Sequence, residues 1–180
     1  MATQTSNSIN RTLHIGDTFT PLKWGVFAVK KFLLFDRWLE GKTIFDPTMG
    51  DGVLLRSLVE LGIKKGFPIK DMPIKNLFGN EMNTEHFKNS IKIFEQKYHI
   101  DMSKNFSNQD ILEFGSKKFD ILFGNPPWQN FVDLPENYKN ILKDYFYRYD
   151  LVKNKKDLLL GRSRIDIASL IIQKSIKDNL

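Results

Sequence analysis

The chain contains no cysteine among its 180 residues. Disulfides and thiolate zinc sites are therefore excluded, as is any covalent chemistry that needs a cysteine nucleophile. Histidine is nearly as scarce. His14, His86 and His99 are scattered without metal-ligand spacing, so no metal site is expected. No apolar run approaches the roughly 18 residues of a membrane span. The start, Met1 to Ser8, is polar and lacks a basic region followed by an apolar one. No signal peptide is expected, and the cytoplasm is the expected location. One further absence concerns glycine. Gly50-Asp51-Gly52-Val53-Leu54-Leu55 lacks the third glycine of the dinucleotide fingerprint, which disfavours a dinucleotide cofactor.

What is present indicates one globular domain, with 41% hydrophobic and 13% aromatic residues. The net charge is +6 and is unevenly spread. Residues 71–129 hold 7 basic and 8 acidic side chains, against 10 and 6 over residues 1–70 and 10 and 7 over residues 130–180. The positive excess lies outside the middle of the chain, where a polyanionic partner could use it.

Thr20-Pro21 reads as a helix cap followed by proline at the first helical position, and Leu22 to Phe35 carries apolar residues at helical spacing. Lys42 to Phe45 reads as a strand and Val53 to Leu61 as a helix after a glycine turn. Asn76 to Phe78 reads as a second strand. Asn83-Thr84 then caps a helix with Phe87, Ile91, Phe94 and Tyr98 on one face. A weak third strand near Asn105 to Ser107 precedes Asp110, and Phe119 to Phe123 is the clearest strand. Helices are expected around Glu136 to Tyr149 and Ile165 to Lys177. Strands alternating with helices imply βαβ units and a parallel sheet. The expected fold is α/β and Rossmann-like.

The fourth strand ends in Asn125-Pro126-Pro127-Trp128. Neither proline can donate to a sheet ladder, so the chain must leave the sheet at Asn125. That places an amide side chain and a free proline carbonyl at a strand's carboxyl end, where open α/β sheets bind ligands. Two acceptors beside a flat aromatic suit a planar substrate carrying an NH2 group. Three earlier strand ends also carry suitable residues. Asp46-Pro47-Thr48-Met49-Gly50-Asp51-Gly52 is a turn whose backbone can approach a ligand closely. Glu81 can accept both hydroxyl hydrogens of a ribose, and Asp110 can accept from an amino group.

In their order, these motifs resemble amino-methyltransferases that use S-adenosylmethionine, above all the adenine-specific DNA methyltransferases of restriction–modification systems. The resemblance covers roughly residues 15 to 178 and implies a Rossmann-like methyltransferase fold. It implies that Asp46, Pro47, Gly50 and Gly52 hold the methionine part of S-adenosylmethionine and that Thr20 and Pro21 close over that end. Glu81 would bind the ribose, and Asp110 with Ile111 the cofactor's adenine. The Asn125 oxygen and Pro126 carbonyl would hold the target amino group, Pro127 would fix the loop, and Trp128 would stack on a flipped base, a mild departure from the more frequent tyrosine. Phe131 could pack on the base's other face or in the core. Tyr145, Phe146, Tyr147 and Tyr149 could touch a nucleic-acid backbone or, more readily, pack on the sheet. Cytosine methylation at ring carbon is excluded, because it needs a cysteine.

The implied partner is DNA. Residues 1–14 are expected to form a polar tail and residues 15–180 a methyltransferase catalytic domain that is incomplete, holding strands one to four of seven and no target-recognition domain. Ile165 to Ile172 resembles the helix leading into a fifth strand. A second polypeptide, or a C-terminal part not in this sequence, is therefore expected to complete the sheet. The alternatives are an RNA-base or release-factor glutamine methyltransferase, or a catalytically incomplete half of a split enzyme.

Overall fold

The computed structural model describes residues 20–153 and 165–180; the expected tail lies outside them. Four strands form one sheet in the order β3-β2-β1-β4: β1 (Ile44–Asp46), β2 (Leu77–Asn80), β3 (Phe106–Ser107) and β4 (Ile121–Leu122). Every pairing is parallel, in register from Ile44–Leu77 to Asp46–Gly79, from Gly79–Phe106 to Asn80–Ser107, and from Ile44–Ile121 to Phe45–Leu122. Parallel neighbours need long crossovers. Helices α3 (Val53–Lys64) and α4 (Thr84–Tyr98) supply the first two. The chain steps outward from β1 to β3 and then returns to the other side of β1. This reversal leaves a crevice between the carboxyl ends of β1 and β4.

Helices cover both faces of the sheet, so its strands read as apolar rather than alternating. Ile44 packs with Val29, Trp38, Leu55, Leu58 and Phe94 from α1 (Leu22–Lys31), α2 (Leu34–Leu39), α3 and α4. The next residue, Phe45, points the other way, into a cluster with Leu142 and Phe146 of α5 (Glu136–Arg148) and Leu170 of α6 (Ile167–Asn179). Its ring stacks on Phe119 and Phe114 at 4.4 and 4.9 Å between centroids. Phe131 lies in the same core, as do Phe146 and Tyr149, while Tyr147 is exposed. The aromatic run of α5 thus packs mainly against the sheet.

Three local expectations differ from the structure. Pro21, not Thr20, occupies the N-cap of α1, and no side chain caps that end. The expected single helix over Leu22 to Phe35 breaks at Leu33, which takes a left-handed conformation with φ 55° and starts α2 at a new angle. The clearest expected strand is the shorter Ile121–Leu122, because the Phe119 N–H donates to the Asn179 carbonyl and not to a strand. Asp120 instead brackets the start of β1. Its carboxylate accepts from the Thr43 N–H and hydroxyl at 2.9 and 2.8 Å and from Lys42 at 3.0 Å. These donors, the Thr43 N–H first, hold its pKa down to about 2. Asn83 does cap α4, accepting from the N–H groups of Glu85 and His86. No described helix is long and apolar enough to cross a membrane.

Candidate functional site

The carboxyl ends of β1, β2 and β3 are tied together by one buried amide. Asn80 Nδ2 donates to the carbonyls of Pro47 and Gln109 at 3.2 and 3.1 Å, and its Oδ1 accepts from the Ser107 hydroxyl at 2.8 Å. Asn108 repeats the device one step outward, donating to the carbonyls of Glu81 and Met82. Loops that otherwise need water to satisfy their carbonyls are thus fixed from within.

The turn after β1 passes through Gly50 and Gly52, both at positive φ (55° and 75°), where a side chain would be strained. Glu81 holds this turn in place. Its Oε2 accepts from the Gly50 N–H at 2.9 Å and its Oε1 from the Asn83 N–H at 2.7 Å. Across the sheet end, a Cβ at Gly124 would lie 2.8 Å from Asp46 Oδ1 and 3.0 Å from Pro47 Cδ. Only glycine lets the Asn-Pro-Pro-Trp loop approach β1 this closely.

These loops surround one shared cleft. Thr20, Asp46, Pro47, Gly50, Glu81, Asp110, Ile111, Asn125, Pro126 and Pro127 all line it. Pro21 and Gly52 do not; Gly52 sits at the start of α3 with its back against Phe94. Trp128 does not line the cleft either; it is 62% exposed and therefore no plug of the core. Its indole N–H donates to Asn125 Oδ1 at 3.1 Å, while Asn125 Nδ2 donates to the Thr20 hydroxyl at 3.3 Å. The amide is aimed from both ends.

The cleft also has walls that the motifs did not reveal. Thr48, Asn80 and His86 contribute, as do Tyr138 of α5 and Ile167 and Ile171 of α6. The last three come from elements beyond the catalytic motif, and only tertiary packing brings them to the cleft. Asn80 had a faint signal, as an amide ending a strand immediately before an acidic residue.

Two carboxyl groups of the cleft have raised pKa values. Burial, opposed by the Thr48 N–H and reinforced by Glu81 and Asp51, pushes the pKa of Asp46 up to about 8. Burial also raises that of Asp110, despite the Leu112 N–H and the Tyr138 hydroxyl, which donates at 3.5 Å. An acid whose folded pKa exceeds its unfolded value opposes folding once it ionises. For Asp46 that penalty is absent below about pH 4, grows as the pH rises, and is complete above about pH 8. Asp46→Asn cannot ionise, so its melting temperature is expected to decline less than the parent's from about pH 5 to 8. Parallel melting curves across that window would show that Asp46 does not carry the effect.

A sequence profile of Eco57I restriction-modification methylases matches residues 35–177. The chain belongs to the Eco57I restriction-modification methylase family. No curated protein matches it in sequence. Among solved structures, it resembles a Listeria monocytogenes protein described as a putative class I S-adenosylmethionine-dependent methyltransferase. The TM-score is 0.57 at 13% identity, over 93% of this chain and 45% of that one. It also resembles DrdV, solved by cryo-electron microscopy in a complex with DNA. There the TM-score is 0.63 at 19% identity, over 91% of this chain and 19% of that one. At such identities the likeness establishes the fold, that of S-adenosylmethionine-dependent methyltransferases. The chain spans less than half the length of either structure. The matched span includes Asp46 to Gly52, Glu81, Asp110 and Asn125 to Trp128.

Proposed function

We propose that the chain carries the cofactor-binding and catalytic part of a site-specific DNA adenine N6-methyltransferase of a restriction–modification system. One observation carries this reading: Asn125, in the loop after β4, borders the same cleft as Glu81 and Asp110, in the loops after β2 and β3. A donor of methyl groups and an acceptor amino group could meet there.

The residues fit S-adenosylmethionine on chemistry. Carboxylates stand ready for ribose hydroxyls (Glu81) and for an adenine amino group (Asp110). The Thr48 hydroxyl is buried in the cleft wall with no hydrogen-bond partner among the described residues. When bound, S-adenosylmethionine supplies an electrophilic methyl group on a positively charged sulfur. Asp46, Pro47 and Gly50 would hold its methionine end, with Thr20 closing over them.

An adenine amino group is a weak nucleophile because its lone pair is delocalised into the ring. Asn125 Oδ1 and the Pro126 carbonyl would accept its two hydrogens, favouring tetrahedral nitrogen and stabilising the positive charge that develops on attack. Asn125 Oδ1 has a second lone pair for this while Trp128 occupies the first. The two prolines limit the ordering left to do at reaction time. A base reaches such a pocket only when flipped from the duplex, and the exposed Trp128 ring offers a surface for it to stack on.

Trp128→Ala is expected to raise the KM for DNA by about tenfold to a hundredfold, since stacking is worth about 1–3 kcal/mol per base, and to lower kcat less. A KM equal to the parent's would show that the ring does not hold the base.

The reading also gives the open edge of β4 a use. Among the described residues β4 pairs only with β1, and Leu122 and Phe123 border a groove with Trp24 and Phe32 of the α1 region. Trp24 and Phe32 are 56% and 64% exposed. Apolar surface of this kind marks a polypeptide contact. A further polypeptide segment, in this chain or in another, would extend the sheet here and read the DNA site. Methyl transfer to genomic DNA, RNA and a release factor, with the modified atoms located, tests the substrate class. Adenine N6 in DNA is the expected position; transfer only to RNA or to a glutamine amide would replace this reading.

A further inference from the structure

Lys174 of α6 is fully buried, an expensive place for an ammonium group, and the reaction above does not use it. Its Nζ donates to the Phe114 carbonyl at 2.6 Å and to Asn179 Oδ1 at 3.1 Å, with Asp178 Oδ2 at 3.7 Å. Asn179, equally buried, extends the tether. Its Nδ2 donates to the carbonyls of Gly115 and Lys117 at 2.8 and 3.0 Å, and its own carbonyl accepts from the Phe119 N–H at 2.9 Å.

Segment 114–119 is therefore strapped to the end of α6. On one side it adjoins the single 3-10 turn Ile111–Glu113, which Asp110 caps through the Leu112 N–H. On the other it leads into β4 and Asn125. The same helix lines the cleft at its opposite end with Ile167 and Ile171. Asp178 partners the charge. The tether itself ends four residues from Asp110, which sits in the cleft wall.

We propose that Lys174 is a positioning residue of the cofactor cleft, holding the turn after Asp110 through the Phe114 carbonyl so that the Asp110 side chain meets a ligand amino group. This rests on the reading of Asp110 as a cofactor contact.

Calorimetric titration of the unsubstituted protein with S-adenosylmethionine comes first. No binding there overturns both the cleft reading and this proposal, whereas binding leaves the variants to decide this proposal alone. Lys174→Met, which loses donor and charge, is expected to bind about tenfold more weakly or worse. Lys174→Gln keeps a donor for the Phe114 carbonyl and is expected to bind more tightly than Lys174→Met. In an Asp110→Ala background, Lys174→Met should have no further effect on affinity. Parent-like binding by folded Lys174→Met, or the full weakening persisting without Asp110, would overturn the proposal. Should neither variant fold, hydrogen exchange on the unsubstituted protein decides. S-adenosylmethionine should slow the amides from Leu112 to Phe119, and no protection there would overturn it.

Discussion

Asn125→Ala is expected to cut methyl transfer to DNA by about a hundredfold or more while leaving S-adenosylmethionine binding unchanged. The amide acts on the acceptor. Its two ends are engaged by the Trp128 indole and the Thr20 hydroxyl, which set its orientation. Removing a preorganised hydrogen-bonding group at a site of developing charge typically lowers kcat by about 10²–10³. Binding of the methyl donor should survive because Glu81, Asp110 and the Gly50 turn remain. Asn125→Asp, which keeps an oxygen for the target amino group and for the Trp128 N–H, should retain more activity than alanine. Single-turnover methyl transfer, paired with calorimetry of cofactor binding, separates the two effects. Normal transfer by Asn125→Ala would remove the basis of the catalytic assignment.

Much of this site is legible in the sequence because strand ends are punctuated. Asp46-Pro47, Gly50, Gly52, Glu81 and Asp110 mark where strands stop, and glycine and proline restrict the backbone of the turns beyond them. The parallel sheet is expected from strands separated by helices, and the order β3-β2-β1-β4 sets the motif-bearing ends side by side. What stays hidden depends on distant partners. Nothing local marks the break at Leu33, where apolar spacing runs on unchanged through both helices. Phe119 to Phe123 looks like a full strand, yet Asn179, far along the chain, takes the Phe119 N–H. Hydrophobic periodicity is equally blind to a buried amide such as Asn80, whose role is to join three loops. Thr20 shows both sides. It does not cap α1 as its sequence context suggests, but its hydroxyl reaches Asn125 and the cleft, where the motif pattern places it.

Glu81→Ala is expected to weaken S-adenosylmethionine binding by about tenfold to a hundredfold, the cost of roughly 1–3 kcal/mol for leaving polar groups unpaired. Two losses combine. The ribose hydroxyls would lose their acceptor, and the Gly50 N–H, now 2.9 Å from Glu81 Oε2, would lose the partner that shapes the turn after β1. Glu81→Gln is the first control. It keeps one oxygen acceptor, enough for either the Asn83 or the Gly50 N–H, and sets an amide nitrogen that cannot accept against the other, so it should bind more weakly than the parent and more tightly than Ala. Adenosine, which keeps the ribose and lacks the methionine end, provides the second axis. Its affinity should fall with that of S-adenosylmethionine in Glu81→Ala, and a variant that binds both as the parent does would remove Glu81 from the cofactor site.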